Sequence, residues 1–438
     1  MNGSSLGAVG LLALGIGALV VLVLLFRAMP RLAFVIWAVV LFFVPVWIGA
    51  TAGFFWAAIT VVTLVVIVAS LGRVRWGAPD IVMLLFAAVC VLMFVLKQAS
   101  TSATVIALLE WVVPYIWGRI VLSRVTADFM YRVVAALAAA VAVLALIEFA
   151  TGRNAFVDLP ALGPSYTVWS PLQYRGGLLR AEGAFGHSIA LGSSLAIAAA
   201  FLLASSLRTV VKLCALALII AAIVVTFSRI ALVGVVITVA LSVVVGARLT
   251  RVARIAIVVV AAAAAVFLVP FISGVFLDAA NEASGSAAYR GDLFQLVPQL
   301  AWFGSSADFS VITTDGSYLG AFADSVDNAL LLVALRFGIF PVLLIILLLA
   351  MAIVSVLTPG RANVGSIAIV AQIPAMFSVA FITQYGMFVW FVGGLAVSLW
   401  YVDGRRRRDG VDGFAVADRL HDPVPGNHIA TSTTSARP

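Results

Sequence analysis

Apolar residues run along this chain in blocks of about twenty, the number a helix needs to cross a bilayer, with polar and charged residues gathered in the intervals between them. Breaks at charged or Pro/Gly-rich points separate about thirteen blocks: 6–26, 32–48, 52–71, 80–96, 102–118, 131–150, 185–206, 210–227, 229–246, 253–271, 326–357, 364–382 and 386–402. The pattern predicts an all-α, polytopic transmembrane bundle of about 12 or 13 helices. The first block is followed by "RAMPR" instead of a small-residue cleavage site, so it reads as a retained helix and not a removed signal peptide.

The intervals divide the chain further. N-terminal helices occupy 1–150, a first long loop 151–182, central helices with a Ser-Arg hairpin 183–272, and a second long loop 273–325 with short amphipathic helices. C-terminal helices follow at 326–404, then a basic tail at 405–438 whose polar, Pro- and Ser/Thr-rich composition reads as disordered. The two long loops hold Tyr166, Trp169, Tyr174, Tyr289, Trp302 and Tyr318, an aromatic content that argues against plain disorder.

Charge orients the bundle. Lys and Arg cluster at alternate junctions: Arg27 and Arg31; Arg73 and Arg75; Arg119, Arg124 and Arg132; Arg208 and Lys212; Arg248, Arg251 and Arg254; Arg361; and Arg405 to Arg408. Cytoplasmic loops carry such an excess, so the C-terminus is expected in the cytoplasm, and the N-terminus and both long loops outside. These arginines account for most of the net charge of +8 through orientation and contact with anionic lipid, and no nucleic-acid partner is implied.

Composition changes little after that. With 64% hydrophobic and 10% charged residues the chain has too little charge to cover a water-soluble globule. Cys90 and Cys214 lie far apart in apolar runs; neither a disulfide framework nor a CxxC site is available, and both are expected as buried thiols. No repeat or inverted symmetry is visible, which disfavours common transporter architectures.

Setting the cytoplasmic arginines aside leaves Lys97, Arg153, Arg175, Arg180, Arg229, Arg290 and Arg336 for the outer side, where positive charge needs a local reason. Arg229 follows Ser228 in a hairpin with almost no loop; it either faces an anion or snorkels to headgroups and caps the preceding helix. In "RAEGAFGHSIALGSS", Arg180 and a helix N-terminus together suit a phosphate. His187 there is either an active group or an interfacial ring bonded to a loop carbonyl, and Glu182 reads as a partner of Arg180 or a first-turn cap. Arg290 and Asp292 begin an amphipathic stretch expected along the membrane surface. Asp324 and Asp327 fall in the expected first turn of the 326–357 helix, as site carboxylates or, with Ser325, as ordinary caps; Asn328 adds a polar group that capping does not require.

Four patches in order resemble the O-antigen ligase and polymerase superfamily, bacterial membrane glycosyltransferases that handle undecaprenyl-diphosphate-linked sugars. They are "RAEGAFGHSIALGSSLA", "TFSRIAL", "YRGDLFQLVPQLAWFGSS" and "DNALLLVALRFGIFP", and they cover about Arg180 to Phe340. Ser188 stands where members commonly have proline. Asp327 stands where ligases carry a histidine, which is closer to polymerase-like members. The resemblance implies transfer or polymerisation of glycan from an undecaprenyl-diphosphate donor to a glycan or lipid acceptor at the outer face, metal-independent and without a cofactor, alongside other envelope-polysaccharide assembly proteins.

The chemistry fits the residue types. Breaking a sugar–diphosphate bond places negative charge on the leaving group, which arginine forks match; Arg180, Arg229 and Arg290 are the expected diphosphate ligands. The attacking hydroxyl must lose a proton, so Asp327 first and His187 second are the expected bases, with Glu182, Asp324 and Asn328 in support. Mg²⁺ held by Asp292, Asp324 and Asp327 is an open alternative. At the level of function the alternatives are a lipid-linked glycan or polysaccharide transporter or flippase, and a structural partner in an envelope complex.

Overall fold

The computed structural model describes residues 3–72, 74–159, 164–246, 250–259, 293–306, 313–314, 317–318, 326, 328–381 and 383–419. Helices dominate them. In order they are α1 (Gly3–Ala28), α2 (Pro30–Phe43), α3 (Ala58–Ser70), α4 (Ala78–Val95), α5 (Thr101–Ile106), α6 (Val113–Ile120), α7 (Ala127–Thr151), α8 (Pro164–Trp169), α9 (Ser188–Ala204), α10 (Thr209–Val225), α11 (Arg229–Val245), α12 (Ala329–Phe337), α13 (Ile339–Leu357), α14 (Val364–Met376) and α15 (Thr383–Arg419). Residues 251–259 are also helical.

Five helical stretches are long and apolar enough to cross a membrane: Ala78–Val95, Thr101–Ser123, Ala127–Thr151, Ile339–Leu357 and Thr383–Val402. A sixth is formed if Gly17–Ala28 and Pro30–Phe43, bent by 115°, are one broken span. These five or six stand against an expectation of about 12 or 13, of which the 253–271 span lies largely outside the described residues. Helices α3, α9, α10, α11 and α14 are apolar but have 13 to 17 residues; at 1.5 Å per residue, 17 residues reach about 25 Å against a core of about 30 Å.

Local chemistry explains the other departures. Pro30 has no N–H to continue α1 and starts α2 at its first turn, so two expected spans become one sharply bent pair. The start of the expected 52–71 helix is instead half of an antiparallel hairpin, β1 (Gly49–Ala52) with β2 (Phe54–Ala57), as aromatics favour. Two more short hairpins, β3 (Tyr174–Arg175) with β4 (Leu178–Leu179) and β5 (Thr313–Thr314) with β6 (Ser317–Tyr318), add structure to both long loops. The expected 326–357 helix breaks at Gly338, whose φ of 97° favours glycine and whose added Cβ would lie 2.6 Å from the Trp302 carbonyl. The basic tail is helical as far as Arg419, since "RRRRDGVDGFAVADR" has no proline to stop α15. Cys90 is buried as expected; Cys214 is exposed on α10.

Between α5 and α6, residues Ala107–Val112 form a π-helical turn. Pro114 is the cause: it cannot donate to the carbonyl of Glu110 four residues back, and its ring crowds that carbonyl, so the ladder widens and Val113 N–H bonds Leu108 O. Such turns are frequent at functional sites.

Helix α9 is buried on nearly every face and packs against α7, α10, α11, α14 and α15. Its Ala, Gly and Ser residues admit that close approach, while its all-round apolarity requires burial. At the arginine-rich end, Arg119 of α6 binds Asp80 of α4 at 2.6 and 3.0 Å and donates to Ser398 of α15 at 2.8 Å, and the Tyr115 hydroxyl donates to Asp80 at 2.8 Å. This buried cluster ties three helices together. The opposite end carries the β1–β2 hairpin, residues 152–159 and 164–187, the α10–α11 turn and residues 377–381.

Candidate functional site

The opposite end gathers the four sequence patches. Ala181 N–H bonds Val225 O at 3.0 Å, joining the first patch to the Ser-Arg hairpin. The third patch forms a short 3₁₀ helix, Phe294–Gln299, whose Leu293 and Leu296 pack on Leu331, Leu332 and Leu335 of the fourth. Gly304 and Ser306 then donate to the carbonyls of Phe337 and Leu335, satisfying the C-terminus of α12. Gln384 donates to Ala184 O at 3.0 Å and Val44 O at 3.3 Å, connecting α15 to the first patch.

"RAEGAFGHS" is a rigid buried node. The carboxylate of Glu148 on α7 accepts the N–H groups of Glu182 at 3.0 Å and Gly183 at 2.9 Å. Asn154 donates to Gly183 O at 3.1 Å. Glu182 accepts Gln173 N–H at 2.8 Å, and the Gln173 side-chain oxygen receives Ser188 Oγ at 3.0 Å and Arg180 Nη1 at 3.3 Å. Gly186, at φ 61°, lies where a Cβ would come within 2.6 Å of the Trp169 carbonyl and 2.9 Å of the Trp47 ring, so only glycine lets the chain pass.

Arg180 is buried, and its Nε donates to Thr226 O at 3.0 Å, while Arg175 Nη1 donates to Phe227 O at 2.7 Å. Both arginines thus satisfy carbonyls at the C-terminus of α10, where cations are also favoured by the helix dipole. Phe227 itself has φ 47°, an uncommon conformation for a bulky residue, costing about 1–3 kcal/mol. Its ring is fully buried, edge-on to Phe149. Ser228 then caps α11 by accepting Ala231 N–H at 3.2 Å, and Arg229 is the first, exposed residue of that helix. The role of capping the preceding helix therefore falls to Arg175 and Arg180.

Glu182 makes its hydrogen bond to Gln173 instead of an ion pair with Arg180, correcting that expectation. Burial raises its pKa to about 8; the nearby Glu148 adds to the rise and Arg180 opposes it. His187 is the N-cap of α9, its Nδ1 accepting Ile189 N–H at 3.2 Å, and its ring is edge-on to Trp169. It bonds an amide, not a loop carbonyl. Burial and Arg180 lower its pKa to about 3. With Nδ1 accepting, the neutral ring carries its proton on Nε2, so its free edge is a donor and poorly suited to be the base.

These shifts set a pH profile. Glu182 stays protonated longer when folded than unfolded, so its stabilisation is complete below about pH 4.5 and is lost as pH rises to about 8. The depressed His187 acts oppositely, losing stability as pH falls from about 6.5 towards 3. Above pH 6.5 only Glu182 contributes of the two, at up to about 1.4 kcal/mol per pH unit. Thermal unfolding of the wild type should therefore move to lower temperature from pH 6.5 to 8, and Glu182→Gln should flatten that slope; an unchanged slope would contradict the assignment.

Asn328 caps α12 by accepting Leu331 N–H at 2.9 Å, replacing the expected caps at Asp324 or Ser325 and placing the helix start at Ala329. Arg290, Asp292, Asp324, Ser325 and Asp327 lie outside the described residues, as does the Mg²⁺ alternative built on three of them. The structure thus brings Arg180, Glu182, His187 and Arg229 to one end, while Asn328 caps α12, whose Ala329 N–H bonds Val379 O at 3.2 Å. Sequence reasoning missed Glu148, Asn154 and Gln384, which act across 29 or more positions in the chain, and Gln173, whose partners are 7 to 15 positions away across the β3–β4 hairpin.

A cavity of about 240 Å³ opens beside the node, lined by Glu110, Trp111, Trp169, Arg336, Thr383 and Gln384 among others. Of the residues expected to bind diphosphate or act as base, the described ones, Arg180, Arg229 and His187, do not line it. A second cavity, about 70 Å³ between α13, α14 and α15, is chiefly apolar. No protein family, curated protein or solved structure matches the chain.

Proposed function

We propose that this chain is a membrane glycosyltransferase of the O-antigen ligase and polymerase type, moving glycan from an undecaprenyl-diphosphate donor at the outer face of a bacterial cytoplasmic membrane. The observation that carries the reading is the α10–α11 turn: a strained Phe227 held by Arg175 and Arg180 places the exposed Arg229 at a helix N-terminus. An exposed guanidinium at the start of a helix is chemistry suited to a diphosphate.

In the reaction, the acceptor hydroxyl forms a bond to the anomeric carbon while the carbon–oxygen bond to the diphosphate breaks. The bonding pair leaves with the diphosphate, whose developing charge Arg229 and Arg290 stabilise, and the hydroxyl proton passes to Asp327. Arg180 moves in this scheme from ligand to positioning residue, because its guanidinium holds the turn. Polymerisation is favoured over transfer to a lipid A core by the aspartate at 327.

The test is reconstitution of the full chain in vesicles with a lipid-diphosphate oligosaccharide, followed by sizing of the products. A ladder supports polymerisation and a single addition to a second acceptor supports ligation. Movement of intact donor across the bilayer without new glycosidic bonds would replace the reading by transport.

A further inference from the structure

The 240 Å³ cavity lies between the β1–β2 hairpin, the π-helical turn, α12 and the start of α15. At about 30 Å³ per water it has room for several waters or one small polar ring. Its walls hold an unusual number of unsatisfied groups. Trp111 Nε1, Thr383 Oγ1 and Gln384 Oε1 are buried and have no hydrogen-bond partner among the described residues. Trp111 and Gln384 are only 4% and 1% exposed. Buried polar atoms are rarely left without a partner, so three around one cavity call for a ligand or ordered solvent.

Their orientations are fixed by the surroundings. Gln384 is held through the two bonds its Nε2 donates to Val44 and Ala184, which leaves its oxygen as the free acceptor. Trp111 is stacked between Phe86 and Trp390 with Phe381 across its edge. Thr383 has φ 51°, an outlier for a β-branched residue. Glu110 lines the same cavity from the π-helical turn, and Arg336 lines it from α12.

This set selects among ligands. Glu110 and Arg336 together give the described lining no net charge of either sign, which favours neither phosphate nor a simple cation. Among the described residues no three metal-ligating side chains converge. Interleaved donors (Trp111, Arg336, Thr383) and acceptors (Glu110, Gln384) between the aromatic walls Phe55, Trp169 and Phe381 match a ring with hydroxyls on its rim and C–H groups on its faces. Such ligands are oriented by a few polar groups in an otherwise apolar pocket.

We infer that this cavity is a carbohydrate subsite, in which Glu110, Trp111 and Gln384 bond the hydroxyls of one sugar of the glycan chain. The choice of a lipid-linked glycan as occupant rests on the glycosyl-transfer reading above. Trp169 joins the two regions, since it lines the cavity and packs edge-on to His187.

The test measures binding to the full chain in nanodiscs of two probes: lipid-diphosphate glycan extracted from the source strain, and the same lipid diphosphate carrying no glycan. Wild type is expected to prefer the glycan-bearing lipid about tenfold or more, and Glu110→Gln and Trp111→Phe to bring that ratio towards one while binding of the bare lipid diphosphate is unchanged. Glu110→Gln conserves side-chain volume and Trp111→Phe keeps an aromatic ring while removing the indole N–H, and the bare-lipid arm reports whether each remains folded. No preference in the wild type, or an undiminished preference in both variants, would overturn the subsite. Failure of the wild type to bind either lipid would instead remove the glycosyl-transfer reading, and the subsite with it.

Discussion

Glu148→Ala is expected to destabilise the protein by about 2–6 kcal/mol, because it strands two buried N–H groups at about 1–3 kcal/mol each. Those donors, on Glu182 and Gly183, have the Glu148 carboxylate as their partner, with one oxygen for each. Glu148→Gln should recover little, since one of its two terminal atoms becomes an NH₂ group that meets a donor. Glu148 also lies beneath the segment that leads to Arg180, so loosening it releases the grip on the α10–α11 turn. Thermal unfolding of the detergent-solubilised chain checks this, and an unchanged midpoint in Glu148→Ala would show that the node is not needed for the fold.

Arg119→Leu should be similarly severe, by about 3–5 kcal/mol, for a different reason: it leaves the Asp80 charge buried without its partner. Asp80 and Arg119 are 6% and 8% exposed, and the guanidinium also serves Ser398 and the Arg75 carbonyl. Removing the partner as well should restore much of the loss, since a buried pair replaced together by uncharged groups is often close to neutral. The double variant Asp80→Asn, Arg119→Leu is therefore expected to unfold at a higher temperature than Arg119→Leu alone. If it unfolds lower still, the pair is not the source of the penalty.

Much of this architecture is visible in the chain because lipid imposes a single demand on sequence, long apolar runs with helical hydrogen bonding. The start of α9 near His187, the Ser-Arg break before α11 and the clustering of arginines at one end all follow from local pattern. Helix count did not follow, since hydropathy registers apolar length and is blind to a Pro30 that folds two runs into one bent pair, or to a Gly338 that splits one into two. Arg180 shows the same limit at the site. Its charge beside a helix N-terminus suggests an anion, yet its nearest unsatisfied groups are carbonyls of a helix 46 positions away in sequence. Glu110 and Pro114 stand inside an apolar run of ordinary length, where hydropathy does not distinguish the π-helical turn that Pro114 forces from a regular helix.

The central claim is that Arg229 faces the diphosphate of a lipid-linked glycan. Transfer by Arg229→Ala in reconstituted vesicles tests it most directly, with Arg229→Lys alongside and thermal unfolding to match the folded fractions. The account predicts a loss of about a hundredfold or more for alanine at unchanged stability, the scale of removing one preorganised donor from a developing anion, with partial recovery for lysine. Transfer at the wild-type rate by Arg229→Ala would contradict it.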